Sequence, residues 1–78
     1  MVKRHYNLPS LSALAAFEAV ARRRNVTRAA AELNVTPGAV SKQIRALEAD
    51  LGRPLLRRHH DGVSLTAEGE AMAASLSE

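Results

Sequence analysis

Cysteine is absent from the 78 residues, so neither a disulfide nor a thiolate-bound metal braces the fold. Histidine offers little in its place. His5 stands near the start, and His59 and His60 are adjacent, which is not the spacing of a ligand set. No metal and no cofactor are expected. Tryptophan is also missing, and Tyr6 and Phe17 are the only aromatics. Readers of single-stranded nucleic acid stack bases on aromatic rings, and protein-binding surfaces gather aromatics at their centre. Both uses are poorly served here. No apolar run approaches the roughly 20 residues of a membrane span. The start, Met1-Val2-Lys3-Arg4-His5-Tyr6, is basic but lacks the apolar stretch that a secretory signal carries behind it. The expectation is a soluble, cytoplasmic chain.

Lys and Arg are missing from residues 61–78, which hold Asp61, Glu68, Glu70 and Glu78. All 11 cations lie in residues 1–60 against four acids, Glu18, Glu32, Glu48 and Asp50, a balance of +7 there and −4 beyond. A basic body joined to an acidic end suggests a polyanionic partner for the body alone. The length allows one small domain, and such a domain buries only about 60–65% of the surface its unfolded chain exposes. With no covalent or metal staple, self-association is the remaining support.

Residues 1–9 read as a basic lead-in closed by Pro9. Ser10 is a good N-cap. Leu11, Leu14, Phe17 and Ala21 follow at helical spacing, widened by Ala15 and Val20, and predict a helix to about Arg23. Asn25-Val26 reads as a connector and Thr27 as the next cap. Residues 28–33 form a short Ala-rich helix with Ala30, Ala31 and Leu33 to bury, stopped at Asn34. Thr36 as cap with Pro37 at the first helical position starts a third helix. It runs over 37–51 to Gly52, a left-handed cap. Residues 55–58 predict a short strand, 59–62 a turn carrying Asp61-Gly62, and 63–65 a return strand. Thr66 caps a fourth helix with Glu68 and Glu70 in its first turn and Ala67, Ala71, Met72, Ala74 and Leu76 along it. The fold class is all-α with a small β-hairpin wing, a winged helix-turn-helix.

The third helix is the informative element. Val40, Ile44, Leu47 and Leu51 share one narrow stripe at helical spacing. Gly38, Lys42 and Arg45 fall opposite, flanked by Ala39 and Ser41. The major groove of DNA admits one helix whose first turns approach base edges. Gly38 and Ala39 permit close approach, Ser41 donates or accepts, and Lys42 reaches guanine O6 and N7. Gln43 and Arg45 suit phosphates, which position a helix without specifying sequence. The same spacing also describes an ordinary amphipathic helix with a solvated basic face. The short Ala-rich helix before it and the abrupt Asn34-Val35-Thr36-Pro37 junction favour a tight helix pair. Arg57, Arg58, His59 and His60 form a wing that reaches backbone or minor groove, or else a solvated rim. Asp61 at its tip opposes deep insertion. His59-His60-Asp61 beside Ser64 has hydrolase residue types, but adjacent residues point apart on a strand and nothing supplies an oxyanion hole. No enzyme is expected. Met72 and Leu76 read as packing residues.

Leu8-Pro9-Ser10-Leu11, Ala16-Phe17-Glu18-Ala19-Val20-Ala21 and Thr27-Arg28-Ala29-Ala30-Ala31-Glu32-Leu33 resemble the start of LysR-type regulators. The run from Val35 through Pro37-Gly38-Ala39-Val40-Ser41-Lys42-Gln43-Ile44 resembles their recognition helix. Leu47-Glu48-Ala49-Asp50-Leu51-Gly52-Arg53-Pro54-Leu55-Leu56-Arg57-Arg58 and Leu65-Thr66-Ala67-Glu68-Gly69 complete a pattern covering residues 8–78. The opening is most similar to the glycine-cleavage activator subgroup. The resemblance implies a bacterial, nucleoid-associated activator or repressor that works on double-stranded DNA and with RNA polymerase. It implies an effector-binding domain that these residues do not include. It implies that residues 10–65 are the winged helix-turn-helix and 66–78 the start of a linker helix. That helix would pair two copies in a homodimer through Met72 and Leu76, weakly at this length. By position, Pro37, Gly38, Ser41 and Lys42 would face bases, and Thr27, Thr36, Gln43 and Arg45 would lie near phosphates. Three positions depart from the common pattern: Lys42 where Arg is frequent, Val26 where Phe is frequent, and His60-Asp61-Gly62 where the wing tip is commonly basic.

Overall fold

Four helices and one hairpin follow from four polar caps and a two-residue turn. The computed structural model describes residues 10–77, so the lead-in over 1–9, with His5 and Tyr6, lies outside the described residues, as does Glu78. The order is α1 (Leu11–Arg23), α2 (Val26–Leu33), α3 (Pro37–Leu51), β1 (Leu56–His59), β2 (Gly62–Leu65) and α4 (Ala67–Leu76). Each helix opens on a short polar side chain that accepts a hydrogen bond from the backbone N–H three residues on. Ser10 takes Ala13 at 3.0 Å, Asn25 takes Arg28 at 2.8 Å, Thr36 takes Ala39 at 3.1 Å and Thr66 takes Gly69 at 3.0 Å. Each such cap contributes about 1 kcal/mol. No helix among the described residues is long and apolar enough to cross a membrane.

The second cap corrects the sequence reading: α2 starts at Asn25, and Thr27 lies inside its first turn. The earlier start brings Val26 onto the helix. Val26 and Leu33 then flank buried Ala29 and Ala30 at helical spacing, while Ala31 is exposed. Asn34 ends α2 in the left-handed region at φ 61°, with its N–H on the Ala30 and Ala31 carbonyls. Asparagine tolerates that conformation, and the chain turns into α3 within Val35 and Thr36.

Phe17, Val20, Val40, Ile44, Leu47 and Leu55 are the large side chains of the core, each under 2% exposed. Burying one such side chain contributes about 1.5–3 kcal/mol. Ala13, Ala16, Ala19, Ala29 and Ala30 are buried in the same core. α1 packs against α2, α3 and α4, so it buries consecutive residues, Ala19, Val20 and Ala21, rather than one stripe. Leu11, at the outer end of α1, is 84% exposed, and Ala15 is exposed; both were expected inside. Leu51 closes α3 beyond the core and is likewise exposed.

The hairpin pairs Leu56 with Leu65, Arg57 with Ser64, Arg58 with Val63 and His59 with Gly62. β1 therefore begins one residue later than expected and takes in His59, and the turn shrinks to His60-Asp61. Gly62 belongs to β2 and adopts φ 148°, a conformation that strongly favours glycine. Its backbone passes so close to the end of α1 that a Cβ there would lie 3.0 Å from the Arg24 carbonyl oxygen. That carbonyl accepts a hydrogen bond from Val63 N–H at 3.3 Å. Arg24 itself is left-handed at φ 54°, held by its N–H on the Val20 carbonyl and its Nε on the Ala21 carbonyl.

Two further contacts fix the wing at its root. The Glu48 carboxylate, on α3, accepts hydrogen bonds from the Leu55 and Leu56 N–H groups at 2.7 and 3.2 Å. Buried Thr66 donates its hydroxyl to the Pro54 carbonyl at 2.8 Å, and its N–H to the Leu55 carbonyl at 3.0 Å. The first turn of α4 then sits directly on Leu55. A Cβ at Gly69 would fall 2.2 Å from the Leu55 carbonyl oxygen and 3.3 Å from the Leu65 Cβ. Backbone cannot yield as a side-chain tip does. We expect Gly69→Ala to destabilise the fold by about 3 kcal/mol, at the upper end of overpacking costs. Thermal unfolding followed by circular dichroism should show a Tm lower by on the order of 15 °C. An unchanged Tm would mean that α4 does not press on Leu55 in this way.

Candidate nucleic-acid interface

The exposed side of α3 carries most of the residues singled out from sequence. Thr36, Pro37, Gly38, Ala39, Lys42 and Arg45 are exposed, and Ser41 and Gln43 are half-buried. Val40, Ile44 and Leu47 are buried on the other side, so core packing alone aims this face outward. Nothing lies within 4 Å of where a Cβ at Gly38 would stand. No contact within the described residues requires a glycine in that first turn.

Thr27 is exposed in the first turn of α2, beside the hairpin. A cleft there is lined by Asn25, Val26, Thr27, Arg58, His59, His60, Asp61, Gly62 and Val63. The wing residues Arg57, Arg58, His59 and His60 are all exposed, yet they divide between the two faces of the hairpin. Leu56 and Leu65 turn inward, and strand alternation puts Arg58 and Val63 on their side. Arg58 Nη1 there donates to Ser41 Oγ at 3.3 Å. On the outer face His59 Nε2 lies 2.9 Å from Ser64 Oγ. The strand register puts this His and Ser on one face, although neighbouring His60 and Asp61 lie in the turn. The pair is on the surface, and no carboxylate among the described residues hydrogen-bonds His59, so the third member of a hydrolytic triad is missing.

Ion pairing divides the cations into two sets. Glu32 receives Arg22 and Arg23, and Arg22 also engages Glu18 at 2.8 Å. Arg53 pairs with Glu68 at 2.9 Å, and Arg24 reaches Glu70 at 3.8 Å. The cations with no carboxylate partner among the described residues are Arg28, Lys42, Arg45, Arg57 and Arg58. All five lie on α2, α3 or the wing. Arg28 escaped the sequence reading because its lack of a partner depends on where the acids fold, which spacing does not reveal. The same holds for the Arg58–Ser41 contact, which spans 17 residues.

The ion-paired cluster joins α1 to α2. Hydrogen bonds from Arg22, then from Arg23, hold the Glu32 carboxyl down to about 2, and Arg22 likewise lowers Glu18. Both acids in turn hold the Arg22 guanidinium above its ordinary value. Glu32 titrates below its unfolded value, near 4.3. Its stabilising contribution is therefore complete above about pH 4.5 and is lost as pH falls toward 2. Thermal melts between pH 7 and 2 should show the native chain losing Tm through that window. Glu32→Gln should begin lower at pH 7 and decline less. Parallel curves for the two proteins would exclude Glu32 as a source of the acid sensitivity.

A short helix, a tight turn, a second helix with an outward polar face and a two-stranded hairpin together define a winged helix-turn-helix domain. The chain belongs to the LysR family: the family described as bacterial regulatory helix-turn-helix proteins, lysR family, matches residues 11–70. It is similar to the HTH-type transcriptional regulator TrpI of Pseudomonas aeruginosa, at 56% identity over 63 residues, 81% of this chain and 21% of that protein. It is 48% identical over 71 residues to the glycine cleavage system transcriptional activator of Escherichia coli, covering 91% of this chain and 23% of that one. The chain thus spans under a quarter of either regulator. Among solved structures, the CbnR DBD–DNA complex superposes with a TM-score of 0.84 at 41% identity, covering 87% of this chain and 78% of that one. The BenM DBD complex with catB site 1 DNA gives 0.81 at 35% identity, over 85% and 73%.

Proposed function

We propose that residues 10–65 bind double-stranded DNA sequence-specifically, with α3 in the major groove, as the DNA-binding part of a bacterial transcriptional regulator. The observation that carries this reading is the sorting of charge. Every cation without an acid partner among the described residues lies on α2, α3 or the wing. The other cations among the described residues, Arg22, Arg23, Arg24 and Arg53, are all paired with carboxylates. The two DNA complexes of similar fold favour the same partner.

In this reading Pro37, Gly38, Ser41 and Lys42 face base edges, the small residues allowing close approach and the hydroxyl and ammonium supplying polar contacts. Thr27, Thr36, Gln43 and Arg45 lie along phosphates, together with the exposed N-terminus of α3. Of the wing residues Arg57, Arg58, His59 and His60, Arg57 and the two histidines approach the flanking backbone, while Arg58 turns back to Ser41 on α3. Asp61 at the tip keeps the wing shallow, because a narrow minor groove carries strong negative potential. The chain works in the cytoplasm, at the nucleoid, and the regulator it serves engages RNA polymerase.

Fluorescence anisotropy of a labelled duplex across a salt series tests the reading. Affinity should fall steeply and linearly in log–log form with salt. Lys42→Ala should relax preference at one base pair, and Arg45→Ala should weaken all sequences alike and reduce the salt slope by about 1. Gly38→Ala should bind less tightly while folding no less stably, since the added methyl meets only open space and favours helix by up to about 1 kcal/mol. Absence of binding at low salt would refute the proposal.

The segment 66–78, of which α4 covers Ala67–Leu76, is the start of a linker that pairs two copies of the chain. Met72 is half-buried against the core, and Leu76 is 37% exposed at the end of α4. Sedimentation equilibrium should detect a weak, concentration-dependent dimer that Leu76→Glu abolishes. A monomer at all concentrations would exclude self-pairing by this segment.

A further inference from the structure

We propose that Arg58 is a specificity-determining residue that acts through Ser41, making the serine hydroxyl a donor toward DNA. The inference rests on the proposed docking of α3 and goes beyond it by stating which bases the serine accepts.

A serine hydroxyl is chemically two-sided. It donates one hydrogen and accepts through two lone pairs, so alone it pairs with either kind of base edge. In a helix interior it commonly turns back to the carbonyl four residues earlier. Ser41 makes no such bond among the described residues; the one hydrogen bond to its side chain comes from Arg58 Nη1, at 3.3 Å. A guanidinium has five donors and no acceptor. Its hydrogen therefore lies on the Ser41 oxygen, and the hydroxyl proton must point elsewhere. Ser41 is half-buried on α3, with buried Val40 before it and exposed Lys42 after it, so the remaining direction is outward.

Arg58 is well placed to hold this arrangement. It lies on the inner face of the hairpin, paired with Val63, whose N–H is tied to the Arg24 carbonyl. Two residues earlier, the Leu56 N–H is tied to Glu48 on α3 itself. The strand carrying Arg58 is thus anchored to the helix carrying Ser41. No carboxylate among the described residues competes for the guanidinium. Accepting from a cation leaves Ser41 one further lone pair, but it strengthens the hydroxyl as a donor and weakens it as an acceptor. Ser41 therefore favours guanine N7 and O6, adenine N7 and thymine O4, and disfavours cytosine, whose major-groove edge offers an amino donor.

The test is selection of bound duplexes from a randomised pool by the 78-residue chain and its variants, with circular dichroism as a check on folding. The native chain should disfavour cytosine at one position by roughly tenfold, the usual scale for one mismatched pair. Ser41→Ala should reduce that discrimination to about twofold or less. Arg58→Gln should do the same at that position, because an amide presents a donor or an acceptor with equal ease. Arg58→Lys, another donor without an acceptor, should keep the preference. Arg58→Gln added to Ser41→Ala should change that position no further. If Arg58→Gln leaves the base profile unchanged, or lowers affinity for every sequence equally with a shallower salt slope, Arg58 is a phosphate contact and the inference fails. A native chain that retains no duplex would instead overturn the docking of α3 and the inference with it.

Discussion

The Glu48 carboxylate ties the wing to the third helix, and much of the outward geometry depends on it. It lies one residue past Leu47, at the inner end of the helix face that fills the core. From there it takes the two backbone N–H groups, of Leu55 and Leu56, with which the chain enters the hairpin. An ionised acceptor makes hydrogen bonds about twice as strong as neutral ones. The hairpin has little apolar surface of its own, and two strands alone are marginal in water. Its position is therefore borrowed from α3, from the Arg24 carbonyl at the end of α1, and from the first turn of α4 pressed onto Leu55. Helix and wing are thereby joined into one surface.

That surface is defined as much by what it omits as by what it holds. Most of the acids are occupied elsewhere, Glu18 and Glu32 between α1 and α2, Glu68 and Glu70 on α4. Exposed ion pairs add little to stability, typically under about 1 kcal/mol. Their larger effect here is placement: they gather Arg22, Arg23, Arg24 and Arg53 around acids and leave the other cations unmatched. Asp50, on α3, and Asp61, at the wing tip, have no ion pair among the described residues.

Much of this was legible in the chain itself. Ser10, Thr36 and Thr66 announced their helices because a capping side chain acts within three residues. Val40, Ile44 and Leu47 announced the buried side of α3 because a helix repeats every 3.6 residues. The start of α2 was misread because Asn25 and Thr27 are both competent caps, and only the phase of Val26 against the core chooses between them. Leu11 and Leu51 were misassigned because a helix end that extends past its neighbours has nothing to pack on, whatever its periodicity. The link of Arg22 to Glu18 is a local i,i+4 pair and could be read; its link to Glu32, like those of Glu48 to the hairpin and Arg58 to Ser41, joins separate elements. Such contacts appear only when the elements are brought together, and they set the fine structure of the site.

The helix caps carry a further meaning. All four are neutral, and α1, α2 and α3 have no acid anywhere in their first turns, whereas α4 has Glu68 and Glu70. A helix start bears roughly half a positive elementary charge from its aligned peptide units. Aspartate in place of Asn25 or Thr36 would cap as well and neutralise that charge, so the neutral choice gives up some stability of the free domain. What remains is a fixed positive field at the starts of α2 and α3, generated by backbone alone. It has no side-chain proton to lose and no rotamer to order, so it persists unchanged across any pH at which the helices stand.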